Sequence, residues 1–182
     1  MPLPWLSGFS SASASVLEMS AAKRHGDVPP GGDIAGVVAP PPLLYLAAIA
    51  VGVILQLLVR VTVVPPRLAV VLGAPLVLGA LVLGAKAMRE FQRAGTPVPT
   101  REPTVALVTT GPYRFSRNPI YLSMSILHLG IAIWANSAWL LLTLAAVLIV
   151  MSRGVIAREE RYLERRFGKP YLDYKAAVRR WL

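Results

Sequence analysis

Two stretches decide the fold: LLYLAAIAVGVILQLLV, from Leu43 to Val59, and LAVVLGAPLVLGALVLGA, from Leu68 to Ala85. Neither contains Asp, Glu, Lys or Arg, and Gln56 is their one strongly polar side chain. Wound as α-helix, each reaches about 26 Å, near the lower limit for crossing a hydrocarbon core of about 30 Å. Both read as transmembrane helices, and Pro75 predicts a kink that neighbouring helices can accommodate. Further along, Ile120 to Trp134 and Ala138 to Met151 are shorter apolar runs separated by Ala135, Asn136 and Ser137. That pattern predicts a helical hairpin, with Trp134 and Trp139 flanking its tip where amphipathic rings favour the interface. A re-entrant hairpin is the other form of the same pattern, and either returns the chain to the side it left.

The composition of all 182 residues agrees. Apolar residues make up 55% and charged residues 15%, with a mean hydropathy of +0.57. A soluble globule of this size cannot bury so much apolar surface. The absence of cysteine excludes disulfides, thiolate zinc sites and a catalytic Cys. His25 and His128 are too few for a multi-histidine metal centre, so no metal is expected. The formal charge of +10 reports orientation here rather than nucleic-acid binding. If four segments cross, 17 of the 19 basic residues fall on one side, leaving Arg60 and Arg67 opposite. The positive-inside rule then places both termini in the cytoplasm of a multi-pass, cytoplasmic-membrane protein.

The expected architecture is therefore all-α: a polytopic protein of about four spans with a cytoplasmic, amphipathic helical segment at its C-terminal end. Residues 1–40, rich in Ser, Ala, Gly and Pro, read as a weakly structured leader. Residues 41–87 hold the first two spans, and 88–182 the polar loop, the hairpin and the terminal helices. Ala80 and Gly84 are a small-xxx-small pair of the kind that marks close helix packing, and His128, within the third apolar run, is expected to bond to a neighbouring helix.

Polar chemistry concentrates in two blocks. In the first, Ala94 to Tyr121, Gly111-Pro112 and Asn118-Pro119 bracket Tyr113, Arg114 and Arg117. Pro119 suits the first turn of a helix with Asn118 as its N-cap. A helix start beside an arginine is a plausible carboxylate or phosphate site, and equally an ordinary capped helix with positive-inside arginines. In the second block, REERYLERRFGKPYLDYKAAVRRWL, the residues Leu163, Phe167, Tyr171, Tyr174 and Val178 form an apolar stripe. Gly168 predicts a helix end and Pro170 a restart. Successive helical residues point about 100° apart, so Glu159 and Glu160 are not expected to face one pocket together. Glu160 is expected near the packing stripe, paired with a loop arginine.

Together the blocks LVTTGPYRFSRNPIY and EERYLERRFGKPYLDY resemble the isoprenylcysteine carboxyl methyltransferase family and the related phospholipid methyltransferases. The pattern is met by Leu107, Val108, Gly111, Tyr113, Arg117, Pro119 and Tyr121, then by Glu159, Glu160, Leu163, Phe167, Gly168, Tyr171 and Tyr174. It covers residues 90 to 182. The resemblance implies an integral-membrane methyltransferase that uses S-adenosylmethionine, with a cofactor pocket at the cytoplasmic ends of the last two spans. Val105, Ala106, Leu107, Val108, Tyr113, Asn118, Pro119, Ile120 and Tyr121 would contact the cofactor. Glu159 and Arg117 would serve catalysis, with Glu159, Arg153 and Arg158 near the acceptor. The partners implied are the lipid bilayer and a lipophilic or prenylated acceptor. Two positions depart from the pattern: Asn118 stands where the family has His, and Val155 where the prenylcysteine enzymes carry an arginine. Other readings of the same residues are an NADPH-dependent membrane reductase of the steroid-reductase type and a non-catalytic scaffold or lipid-binding protein.

Overall fold

A computed structural model describes residues 39–95 and 106–182. The expected leader, apart from its last two residues, and Val105 lie outside the described residues. Among those described, the chain is all helical, with six α-helices. These are α1 (Pro41–Leu58), α2 (Pro66–Arg93), α3 (Pro119–Trp134), α4 (Ala138–Val150), α5 (Ala157–Phe167) and α6 (Lys169–Ala177). A 3-10 turn, Gly111–Arg114, precedes α3, and a π-helical turn, Met151–Ile156, carries α4 into α5.

Three helices are long and apolar enough to cross a membrane: Pro41–Leu58, Pro66–Arg93 and the continuous Ala138–Phe167. The remaining apolar helix, Pro119–Trp134, has 16 residues and falls short of that length. At 1.5 Å per residue α2 extends about 42 Å and α3 only about 24 Å, so the far turns of α2 overhang the start of α3. This is the arrangement that leaves room for a site. Large apolar side chains on the outer faces, among them Leu57, Leu58, Leu78 and Leu142, are exposed as lipid-facing residues must be.

Between helices in lipid, close packing replaces hydrophobic collapse as the cohesive force, and small residues permit it. Ala69, Gly73, Ala80, Gly84 and Ala87 share one face of α2, and α2 packs on α3. A Cβ added at Gly73 would come within 2.6 Å of the Trp134 backbone nitrogen, and one at Gly84 within 3.0 Å of Ser123 Oγ. Val77 lies against Gly130 between them. The pairs step in antiparallel register, four residues down α2 for four up α3, then seven for seven. Extrapolated, that register carries Glu90 and Phe91 to the loop before α3. The Ala80–Gly84 reading thus holds.

The hairpin tip is tied to the α1–α2 connection. Asn136 Oδ1 accepts from the Val63 and Val64 amides at 2.8 and 3.0 Å, and its Nδ2 donates to Val64 O at 2.7 Å. Ser137 Oγ donates to Gln56 Oε1 at 3.0 Å and caps α4 by accepting from Leu140 N. These contacts put residues 59–65 and 135–137 at one end of the bundle. In its middle, buried His128 approaches Thr143 Oγ1 of α4 at 3.5 Å, as a structural histidine would. The terminal stripe runs over two helices: Gly168, at φ +58, ends α5 and lets α6 turn back.

Candidate functional site

At the opposite end lies an open cleft of about 670 Å³, counting the solvent space at its mouth. Phe91, Val108, Tyr113, Arg117, Tyr121 and Glu159 are among the residues lining it. The wall is mostly apolar and aromatic with a few polar groups among them, the usual make-up of a small-molecule site.

The wall begins at Gly111. Its φ of +58 belongs to the left-handed region, and a Cβ there would meet Glu90 Cγ and Cδ at 2.9 Å. Glycine therefore lets the loop pass beside the last turns of α2, where Glu90 Oε2 accepts from Thr110 Oγ1 at 2.5 Å. The turn that follows presses Tyr113 edge-on against Phe91, with ring centroids 5.4 Å apart. Tyr174 Oη of α6 donates to Tyr113 O at 2.7 Å and fixes the turn from the other side. Burial raises the hydroxyl pKa of Tyr113 and of Tyr174, and pushes Tyr171 up to about 12, so all three are neutral donors at physiological pH.

Asn118 occupies the N-cap position of α3, but its side chain does not cap. Nδ2 instead donates to Arg180 O at 2.9 Å. The expected side-chain cap is thus corrected: a partner distant in sequence outcompetes the local bond. Pro119, fully buried, follows directly but does not line the cleft.

Two carboxylates face this cleft. By length, residues 138–158 advance about 30 Å, one hydrocarbon thickness, so α5 begins where the apolar part of the span has ended. Glu159 Oε1 accepts from Tyr121 Oη at 2.6 Å. Burial lifts the Glu159 carboxyl to about 7, against the pull of the Tyr121 bond and with the Glu160 charge adding to the rise. Glu160 is gripped by Arg180, with Nε to Oε1 at 2.9 Å and Nη2 to Oε2 at 2.6 Å. Arg117 Nη1 stands 3.2 Å from Glu160 Oε1. The expected pairing of Glu160 with a loop arginine holds. The expectation that only one of the two carboxylates borders the pocket does not, because the cleft wraps around α5 from Tyr121 to Arg117.

The Arg117 guanidinium is the most unusual group here. Its side chain is 10% exposed, and neither Nε nor Nη1 makes a hydrogen bond. Glu160 and a hydrogen bond with Tyr171 hold the group, and because buried donors are normally satisfied, the two left over suit an anionic ligand. The described cleft residues include no group of three or more potential metal ligands.

Of the sequence-derived candidates, Ala106, Leu107, Val108, Tyr113, Asn118, Ile120, Tyr121, Arg117 and Glu159 all line the cleft. Arg153 and Arg158 do not: both are exposed. Each lies on the exposed side of its turn while its neighbours, Met151 and Val155 for the first and Ile156 and Glu159 for the second, are buried. Sequence reasoning missed Phe91, whose only signal was an aromatic among the polar last turns of α2. It read Leu163, Tyr171 and Tyr174 as packing residues, although they lie in the second block, and Arg180 as one more basic residue.

A family model described as phospholipid methyltransferase matches residues 68–170. An uncharacterized protein of Haemophilus influenzae is 40% identical over 63 residues, which is 35% of this chain and all of that protein. No solved structure matches.

Proposed function

The chain belongs to the phospholipid methyltransferase family, and from that premise we propose that it is an S-adenosylmethionine-dependent enzyme. It would methylate a lipophilic acceptor, an isoprenylcysteine carboxylate or another lipid. The observation that carries this reading is the buried Arg117, with unbonded donors, in the same cleft as a carboxylate poised near neutrality. The residues present suit an amino-acid nucleoside. Arg117 matches a carboxylate, Glu159 an ammonium or sulfonium, and the walls of Phe91, Val108 and Tyr113 a flat apolar ring.

When bound, the cofactor supplies a methyl group on a cationic sulfur, which an acceptor lone pair takes as the sulfur–carbon bond breaks. Such an in-line transfer depends on alignment and exclusion of water more than on strong acid–base groups. Arg117 and the Gly111–Arg114 turn would orient the cofactor, while Phe91 and Tyr113 keep water from one side. A carboxylate acceptor needs no deprotonation. For an amine or hydroxyl acceptor, Glu159 at about 7 could take the proton, with Tyr121 Oη holding the carboxylate in place. The short, apolar α3 beside the cleft supports delivery of the acceptor from lipid.

The deciding experiment titrates purified protein in micelles with S-adenosylmethionine and, separately, with NADPH. Saturable binding of the first alone is expected. Binding of NADPH alone would transfer the chain to the reductase reading, and binding of neither would leave the scaffold reading. A screen of prenylcysteines, fatty acids and phosphatidylethanolamine with methyl-labelled cofactor then identifies the acceptor. Four crossings, with both termini cytoplasmic, remain the proposed topology, supported by the 17-to-2 distribution of basic residues.

A further inference from the structure

The segment 178–182 leaves α6 and lies along the loop that starts α3. Arg117 N donates to Arg179 O at 3.0 Å, Asn118 Nδ2 donates to Arg180 O at 2.9 Å, and Ser116 Oγ reaches the same carbonyl at 3.4 Å. Three consecutive loop residues are therefore held by two consecutive carbonyls. Trp181 packs against the buried core. From this strap the Arg180 side chain reaches back and engages both oxygens of Glu160.

The consequence concerns Arg117. Glu160 is the carboxylate close enough to neutralise it, yet Arg180 holds both Glu160 oxygens in a fork. What remains for Arg117 is a bond with Tyr171 and a 3.2 Å ion-pair contact without hydrogen-bond alignment, so its buried Nε and Nη1 stay unbonded beside the cleft. Without Arg180, Glu160 would be free to turn and pair fully with Arg117. An internal carboxylate would then occupy the donors that an incoming anion needs.

We propose that Arg180 is a positioning residue that sets ligand specificity: by occupying Glu160, it keeps Arg117 open for the carboxylate of the bound cofactor. This rests on the S-adenosylmethionine reading above. It also gives Asn118 a task that requires no titratable group, since its amide fastens the strap from which Arg180 reaches.

The test compares two ligands that differ in one group, S-adenosylmethionine and its decarboxylated form, by calorimetry on the full chain in micelles. The unmodified chain should prefer the carboxylated ligand. Arg180→Ala should reduce that preference by about tenfold, the scale of one charge-assisted hydrogen bond, while affinity for the decarboxylated ligand changes much less. A merely structural role would weaken both ligands together. Glu160→Gln added to Arg180→Ala removes the competing charge, and the double variant should recover the preference. Should Arg180→Ala fail to fold, Arg180→Lys supplies a point charge without the fork and should give an intermediate preference. Unaltered preference in the Arg180 variants, or no recovery in the double variant, overturns the inference while leaving the methyltransferase reading intact. Failure of the unmodified chain to bind S-adenosylmethionine overturns both.

Discussion

Replacing Glu159 by Gln should remove a specific pH dependence of stability. The carboxyl has an ordinary value of 4.5 and is lifted to about 7 in the folded chain, chiefly by burial. The folded state thus binds this proton more tightly than the unfolded state. Its favourable contribution is complete below about 4.5, falls as pH rises toward 7, and is gone above it. The rise from 4.5 to about 7 corresponds to a change of up to about 3 kcal/mol across that window. Gln preserves the shape and can still accept from Tyr121 Oη, though as a neutral bond worth about 1 kcal/mol. Thermal unfolding in micelles, followed from about pH 5 to about pH 9, gives the stability of each form. Other titrating groups are common to both, so the difference between them isolates Glu159. The variant should gain on the unmodified chain as pH rises and stop gaining above about pH 8. A difference that stays constant over the range would refute the claim that this carboxyl is buried and protonated near neutrality. A wild-type curve that rises alone would show a carboxylate stabilised rather than penalised by its surroundings.

Gly111→Ala should destabilise the fold by about 1–3 kcal/mol, from left-handed strain and the 2.9 Å approach to Glu90, read as a lowered melting temperature. Tyr174→Phe removes the bond to Tyr113 O and should cost about 1 kcal/mol, with looser cofactor binding measured by calorimetry. Arg117→Ala should weaken S-adenosylmethionine binding by about 1–3 kcal/mol, since a charged partner of its carboxylate is lost; unchanged affinity in a folded variant would sink that assignment. For topology, Ala135→Cys, exposed at the hairpin tip, should react with an impermeant thiol reagent from outside intact cells. Labelling only after permeabilisation would reverse the proposed orientation.

Much of this protein is legible in its sequence. Apolar segments without charge must lie in lipid or in a core, and a chain this apolar has no core large enough. That argument yields the helical class and the hairpin around Asn136. The two polar blocks likewise contain most of the cleft, because glycine and proline fix local turns whatever surrounds them. Span lengths are less legible: α3 begins at Pro119 because proline cannot continue the helix backward, and hydropathy alone does not show how α2 overhangs it. Arg153 and Arg158 illustrate the same limit, since proximity in sequence says nothing of which side of a helix a residue occupies.

Hydropathy and turn chemistry are properties of short segments, and they suffice to set the kind of molecule this is. Which groups meet is a matter of packing between segments. Phe91 reaches Tyr113 because small residues on α2 set an antiparallel register with α3 that ends there. Arg180 reaches Glu160, and Asn118 turns from its helix to Arg180 O, because Gly168 reverses the chain and lays residues 178–182 along the loop. Arg117 Nε and Nη1 are left unbonded by that competition, whose winner lies twenty residues beyond the carboxylate in dispute. Electrostatic availability of this kind depends on distances among several side chains at once, and no local pattern of residues encodes it.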